Sequence, residues 1–237
     1  MGADQHLDWQ AAASALDWWV AAGVDVLVEE ESRDWLAPTA PLVSPPEPIA
    51  APGAMPGEWT AYATWRSGPE AVEHRWPGQW VVASGPAAAR LMVLSDCPDH
   101  DDVSAGSLLA GEAGRLFDRM LAAIGLARGD IHLASVCAKR PTGGRVPPQE
   151  AGQLAALARH HVGLVAPRAL LVVGNAASRA ILATDAAAAR GRSHSFNHSD
   201  REVPVVASYH PRHLLERPAL KAGAWADLRA LKRLLGD

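Results

Sequence analysis

Cysteine is almost absent from this chain of 237 residues, which contains only two. Two thiols cannot build a disulfide scaffold, an all-thiolate zinc site or a four-thiolate iron–sulfur cluster within one chain. No apolar run approaches the roughly 20 residues of a membrane span, and the N-terminal sequence MGADQHLDW lacks the basic and then apolar layout of a secretory signal. We therefore expect a cytoplasmic, thiol-containing protein with no membrane partner.

The net charge of the chain is low and unevenly distributed. The formal value of −4 excludes a protein that coats nucleic acid by bulk positive charge. Residues 1–37 contain eight acidic side chains and one basic side chain, whereas residues 190–237 contain nine basic and five acidic ones. The basic end is therefore the part of the chain that we expect to meet a phosphate backbone.

Aromatic residues are also unevenly distributed, and they separate the chain into parts. Eight of the nine tryptophans lie at or before Trp80. The pattern of segment 8–22 predicts an amphipathic helix whose docking face holds Trp9, Ala12, Leu16 and Trp19. Seven prolines within 37–57 predict an extended linker. We therefore divide the chain into an N-terminal helical segment (1–36), a Pro-rich linker (37–57) and a folded domain (58–237).

Beyond residue 79, short β-branched runs alternate with longer Ala- and Leu-rich amphipathic segments. This pattern predicts strands at 91–96, 131–136, 170–174 and 204–209, and helices at 110–124, 148–164, 176–183 and 218–234. Such alternation with short links is typical of right-handed crossovers in a parallel sheet covered on both faces. The predicted fold class is therefore α/β, a three-layer α/β/α domain around a central, mostly parallel four-stranded sheet.

Residues capable of chemistry follow three of these strands, at the edge where such sheets bind ligands. Asp96 opens an acidic run, 96–102. Three interpretations fit it: a carboxylate that orients a water molecule, a divalent-cation loop, or a solvated acidic loop. Pro98 and the missing central Gly argue against an EF-hand loop, and we predict no metal site. His210 precedes Pro211, which leaves its imidazole at the edge of the sheet to meet a ligand or to cap a turn. Residues 135–145 carry three cations beside a Gly pair, which suits phosphate binding or a solvated basic loop.

Together these motifs resemble those of family-4 uracil-DNA glycosylases, in register over residues 91–234. The family motif Gly-Glu-Ala-Pro-Gly falls on 95–99 (Ser-Asp-Cys-Pro-Asp), and Gly-x-Pro-Phe-Val-Gly-x-Ala-Gly falls on 106–114. The block Asn-Val-x-Lys-Cys-Arg-Pro falls on 135–141 (Ser-Val-Cys-Ala-Lys-Arg-Pro). Arg-Gly-Arg matches 190–192, and Tyr-His-Pro-x-x-Leu-Leu matches 209–215. Because order and spacing agree, the domain is identified as a divergent member of that superfamily.

The resemblance implies a role in base excision. Enzymes of that family flip a uracil out of the duplex and hydrolyse its N-glycosidic bond. By position, Asp96 takes the place of the carboxylate that orients the water, and His210 would donate to the uracil carbonyl as negative charge develops on the leaving base. The implied substrate contacts are Pro98, Leu109 and Ser135. The implied DNA contacts, with which the basic tail agrees, are Lys139, Arg140, Arg190, Arg192, Arg212 and His213.

The chain departs from the family at residues that carry its chemistry. Leu109 stands where the family stacks a Phe on the flipped base, and Ser135 stands where the family has an Asn that offers both a donor and an acceptor. Asp96 is one methylene shorter than the family's Glu. Lys139 occupies a cluster-ligand position and no cysteine precedes Cys97, so we expect the iron–sulfur cluster to be absent, with no other cofactor. We expect indole packing to hold the Trp-rich region together instead.

Cys97 and Cys137 each follow one of two neighbouring predicted strands. We interpret them as small buried thiols, the commonest fate of free cysteine, with a redox pair as the alternative. The pairs His194/His198 and His210/His213 have the spacing of metal ligands, but no third ligand is evident.

Two functions from different classes remain open. The first is a DNA glycosylase of base excision repair that lacks the cluster and has an altered base pocket. The second is a catalytically inactive glycosylase-like module that serves as a DNA-binding scaffold, with its acidic, Trp-bearing N-terminal helix capturing a protein partner. A phosphate-binding α/β protein unrelated to base excision fits the motifs least well.

Overall fold

The computed structural model describes residues 55–198 and 201–236, together with Ala13, Ser14, Asp17 and Trp18. The chain divides into two units, Met1–Ile49 and Ala50–Asp237. In the first unit the four described residues are helical and exposed. The rest of the predicted N-terminal segment and most of the Pro-rich linker lie outside the described residues. All other described residues belong to the second unit.

The second unit alternates strands with helices, as the sequence pattern predicts. Its strands are β1 (Leu91–Ser95), β2 (Ile131–Ser135), β3 (Ala169–Val173), β4 (His194–His198) and β5 (Arg201–Ser208). Its helices are α1 (Trp59–Arg66), α2 (His100–Ala105), α3 (Gly111–Ala123), α4 (Ala151–Val165), α5 (Asn175–Leu182), α6 (Ala186–Ala189), α7 (Pro211–Glu216) and α8 (Lys221–Leu235). None of the helices in the described part of the chain is long and apolar enough to cross a membrane.

The five strands form one sheet in the order β2-β1-β3-β5-β4. Every pairing is parallel except that of β4 with β5. The predicted mostly parallel sheet is therefore confirmed, with one strand more than the four that we expected. The sequence of β4, His-Ser-Phe-Asn-His, buries only Phe196, because the strand lies at the edge of the sheet. A strand with a single buried residue carries too little apolar periodicity to be predicted.

The predicted three layers are also present. Alternate residues of β1 point to opposite faces, as the pleat of a strand requires. Met92 and Leu94 pack with Leu154 of α4 in one apolar cluster. Leu91 and Val93 pack in a second cluster, which includes residues of α3 and α8 such as Phe117 and Leu228. Since both faces of the sheet are covered, β1 is fully buried and its end can hold polar side chains in a fixed position.

Two helices begin later than the sequence predicts, and proline turns explain both differences. The helix expected from residue 148 starts at Ala151, because the Glu150 N–H first closes a turn onto the Pro147 carbonyl (3.0 Å). The helix expected from 218 is preceded by a short 3₁₀ turn, Pro218–Leu220, and α8 starts at Lys221.

Candidate functional site

The carboxyl ends of the four parallel strands lie side by side. In the register of the sheet, Ser95 of β1 is paired with Ser135 of β2 and with Val173 of β3, and Val173 is paired with Ser208 of β5. The residues that follow these positions therefore meet at one edge. Asp96 and His210, which we predicted at strand ends, both lie there.

His210 is buried, with 2% of its surface exposed, and caps helix α7. Its Nδ1 accepts the N–H of Arg212 (3.2 Å), so the ring proton lies on Nε2. Nε2 donates to the hydroxyl of Ser95, also 3.2 Å away. Burial, and then the nearby charge of Arg212, lowers the pKa of His210 to about 3. The imidazole is therefore neutral at physiological pH, and its N–H is directed at the end of β1.

Asp96 lies over the N-terminus of α5. Its two carboxylate oxygens accept the backbone N–H groups of Asn175 (3.1 Å) and Ala177 (2.9 Å). Gly174 makes this approach possible, because a Cβ there would lie 2.2 Å from the carboxylate, and its φ of +101° suits glycine. Burial raises the pKa of Asp96, while the backbone hydrogen bonds oppose that shift. The carboxylate is thus fixed in place by α5, and each oxygen has a further lone pair.

Two other acidic residues of the 96–102 run, Asp99 and Asp102, stabilise local structure. Asp99 is the N-cap of α2 and its side chain accepts the N–H of Asp102, whose side chain accepts the N–H of Asp99 in return. Asp102 also accepts the N–H of Ala110 (2.7 Å), and burial raises its pKa. This capping box accounts for the acidic pattern that we also considered as a cation loop. Within residues 55–198 and 201–236, no three His, Cys, Asp or Glu side chains are grouped to hold a metal.

The three predicted substrate contacts lie in different environments. Ser135 donates its hydroxyl to the Cys137 carbonyl (2.6 Å), which leaves its oxygen lone pairs available as acceptors. Pro98 is buried, and its carbonyl accepts a hydrogen bond from the Arg140 guanidinium (3.0 Å). Leu109 is 1% exposed and packs in the cluster that contains the residues of α3. Its side chain therefore belongs to the core beneath the site.

The six predicted DNA contacts divide into internal and accessible groups. Arg190 bonds the buried Asp227 (2.6 Å) and lies over the Tyr209 ring, and its side chain is 15% exposed. Arg192 is exposed, Arg212 is 40% exposed, and Arg140 and His213 are half-buried. The structure thus leaves four of the six within reach of a phosphate.

Lys139, the remaining member of that set, is buried and internally bonded. Its ammonium donates to the Trp76 carbonyl (3.0 Å) and lies 4.6 Å from the centre of the Trp80 ring. A cation packed against an indole thus lies where the resemblance places a cluster ligand. Cys97 and Cys137 are buried, with their sulfurs 2.7 Å apart. The chain has no other thiols, so its residues do not fit a four-thiolate iron–sulfur cluster.

Two features of this region are not predicted by the sequence pattern. One is a buried ion pair between Arg66 and Glu73, in which Glu73 also accepts the N–H of Ala138 (3.0 Å). Arg66 and Glu73 lie 7 positions apart, but the bond to Ala138 spans 65 positions, and no local pattern indicates a contact of that range. The other is Ser95 itself, which is 3% exposed and is the partner of His210. Its position at the end of a predicted strand was the available signal.

Comparison with known proteins gives consistent matches. The family model described as Uracil DNA glycosylase superfamily matches residues 82–229. A type-4 uracil-DNA glycosylase of Archaeoglobus fulgidus is 26% identical over 170 residues, which cover 69% of this chain and 85% of that protein. A type-4 uracil-DNA glycosylase of Pyrobaculum aerophilum is 24% identical over 162 residues, covering 65% of this chain and 83% of its own length. The residues that the family model matches, 82–229, include β1 to β5 and all the strand-end residues described above.

Proposed function

Because this chain belongs to the uracil-DNA glycosylase superfamily, we propose that it is a DNA glycosylase that hydrolyses the N-glycosidic bond of a deaminated base in base excision repair. The observation that supports this most strongly is the juxtaposition of Asp96 with a neutral His210 at the strand edge inside the matched region. The scaffold alternative is not favoured, because the similar proteins are themselves glycosylases.

The proposed role of Asp96 is to orient the attacking water. A water held by a free lone pair of its carboxylate approaches C1′ of a flipped nucleotide. As the O–C1′ bond forms and the C1′–N bond breaks, the water gives up a proton to the carboxylate. Fixed geometry is what makes such a group effective, and the two N–H bonds from α5 supply it here.

The proposed role of His210 is to stabilise the leaving base. The electron pair of the broken bond moves onto the base, whose carbonyl oxygen becomes negatively charged. A neutral imidazole directed at the end of β1 stabilises that developing charge through hydrogen bonding and does not have to transfer its proton. Burial keeps the ring neutral over the whole physiological range, because it lowers the pKa of His210 to about 3.

The proposed base pocket recognises an N–H group of the base and its apolar surface. Ser135 presents oxygen lone pairs, since its own proton is used on the Cys137 carbonyl. Pro98 supplies apolar surface, whereas Leu109 lies in the core beneath the site and offers no ring on which a base can stack. Leucine in place of an aromatic platform gives up stacking worth about 1–3 kcal/mol per base. We therefore expect weaker base binding than a Phe platform would provide.

DNA is the proposed macromolecular partner, and four accessible basic side chains are its proposed phosphate contacts. They are Arg140, Arg192, Arg212 and His213. The acidic, Trp-bearing segment 1–36 is the proposed site of a protein partner, tethered by the Pro-rich linker 37–57 to the glycosylase domain 58–237. The proposed enzyme acts in the cytoplasm without an iron–sulfur cluster. Stoichiometric iron in the purified protein would contradict the cluster-free proposal.

The experiment is excision from labelled oligonucleotides that contain uracil, hypoxanthine or xanthine, followed by alkaline cleavage. We expect cleavage with at least one base, and a loss of about 10²- to 10³-fold for His210→Ala and for Asp96→Asn. His74→Ala serves as the matched control, because that side chain is exposed and lies outside the site. Intact oligonucleotides throughout, or rates unaffected by both site variants, would show that the proposed function is wrong.

A further inference from the structure

The hydroxyl of Ser95 is the hydrogen-bond partner of the His210 imidazole at the carboxyl end of β1. Ser95 ends β1, a central strand flanked by β2 and β3, and is 3% exposed. Its Oγ lies 3.2 Å from Nε2 of His210. Because Nδ1 accepts the N–H of Arg212, Nε2 carries the ring proton and Ser95 is the acceptor. The imidazole N–H is therefore already bound inside the protein.

Ser95 nevertheless remains able to donate. A serine hydroxyl carries one proton and two lone pairs, and the bond from His210 occupies only a lone pair. Among the hydrogen bonds of the described residues, none uses the Ser95 proton. An oxygen that accepts from a donor also becomes a better donor itself, since chains of hydrogen bonds polarise one another. The pair therefore ends in one polarised O–H.

We propose that Ser95 is the catalytic residue that contacts the leaving base, donating its hydroxyl proton to the base carbonyl while His210 acts through it. This inference rests on the proposed glycosylase function. It makes His210 a positioning residue, which fixes and polarises the Ser95 hydroxyl.

The neighbour of Ser95 extends the proposal to the substrate. Ser95 and Ser135 are paired in register on adjacent strands, which lie about 4.8 Å apart. Ser95 offers a donor, whereas Ser135 offers an acceptor because its proton is used on the Cys137 carbonyl. A carbonyl beside an N–H, the lactam edge shared by uracil, hypoxanthine and xanthine, matches this arrangement. Loss of the Ser95 hydroxyl should therefore slow excision of all three bases by a similar factor.

The experiment compares single-turnover excision rates and DNA affinities of the full-length protein. Ser95→Ala should lower the rate constant by about 10²-fold while DNA affinity stays within about twofold of wild type. In the Ser95→Ala background, His210→Ala should then cost little more, whereas the same change in the wild type costs the full factor. Ser95→Cys, with a weak S–H donor in a similar volume, should retain an intermediate rate.

Several results would overturn the inference alone. Wild-type or higher rates in Ser95→Ala would mean that Ser95 is a spectator or blocks the pocket. A His210→Ala effect of equal size in both backgrounds would mean that His210 reaches the base by itself. If Ser95→Ala lowers DNA affinity as well as the rate, the Ser95→Cys variant tests the donor role instead. A Cys variant as slow as the Ala variant would contradict that role. A wild-type protein that excises none of the three bases would overturn the proposed function and this inference together.

Discussion

The buried Arg66–Glu73 ion pair is the structural element whose removal gives the largest predicted change in stability. Glu73 is fully buried and the Arg66 side chain is 12% exposed. Glu73→Ala would leave the guanidinium without its counter-charge and the N–H of Ala138 without its acceptor. Removing one partner of a buried pair costs about 3–5 kcal/mol. For a domain of this size, that corresponds to a fall in Tm of roughly 6–20 °C.

Thermal and urea unfolding followed by circular dichroism would measure this change. The matched control is Glu112→Ala, which breaks an ion pair with Arg115 whose side chains are 78% and 67% exposed. Surface pairs contribute about 1 kcal/mol or less, so the control should scarcely move. The double variant Arg66→Met/Glu73→Leu should regain much of the loss, because no buried charge remains unpaired. A Glu73→Ala protein as stable as the control would refute the assignment of the pair as a structural clamp.

Two further predictions concern pH and DNA. Burial is the main reason that the pKa of His210 is about 3 in the folded state, whereas it is about 6.5 in the unfolded chain. Between these two pH values the unfolded chain therefore binds more protons than the folded protein. Its contribution to stability is complete above about pH 6.5 and is lost as the pH falls towards 3, by up to about 1.4 kcal/mol per pH unit. Urea unfolding between about pH 7 and pH 5 should show a shallower loss for His210→Gln, and equal slopes would contradict a buried neutral imidazole. For DNA, Arg192→Ala should reduce the slope of log affinity against log salt by about one in fluorescence anisotropy, whereas Lys139→Ala should leave that slope unchanged and lower Tm. If Lys139→Ala changed the slope and Arg192→Ala did not, Lys139 and not Arg192 would be the residue that contacts phosphate.

Most of the fold was predictable because the apolar residues in the sequence follow the burial of the strands and helices. β1, β2 and β3 are wholly or almost wholly buried runs, and the long helices have one apolar face, so local pattern and tertiary position agree. β4 breaks that agreement, since an edge strand needs few apolar residues. Helix α2 breaks it as well, because its first turn depends on the Asp99–Asp102 capping box and not on an apolar stripe.

The site was predictable as a location and much less so as a set of contacts. A strand followed by Asp96, or by His210 and Pro211, fixes where each side chain begins, because parallel strands end at a common edge. Which partner each one meets depends on residues far away in sequence. The N–H groups that hold Asp96 come from α5, and the hydroxyl that accepts from His210 comes from β1. Tertiary partners of this kind leave no local pattern.

Charge was the least informative property, because a cation in the sequence does not specify exposure. In the sequence, Lys139 and Arg190 are basic residues that look no different from Arg192. In the structure, each of the two lies against an aromatic ring and donates to an internal acceptor. A long side chain can bury its stem and end its charge on a carbonyl, a carboxylate or a ring face. Predicting DNA contacts from a basic tail therefore requires the packing of each side chain.

The four tryptophans between residues 59 and 80 have a structural explanation in the same packing. Trp59 stacks on His161 with the ring centres 4.7 Å apart, and Trp80 receives the ammonium of Lys139. Trp59, Trp65 and Trp76 all pack partly buried against the cluster beneath the sheet. These contacts, with the hydrogen bond from the Ala138 N–H to Glu73, attach the segment 59–80 to α4 and to the chain after β2. Indole, ion-pair and hydrogen-bond contacts therefore hold this segment against the rest of the domain.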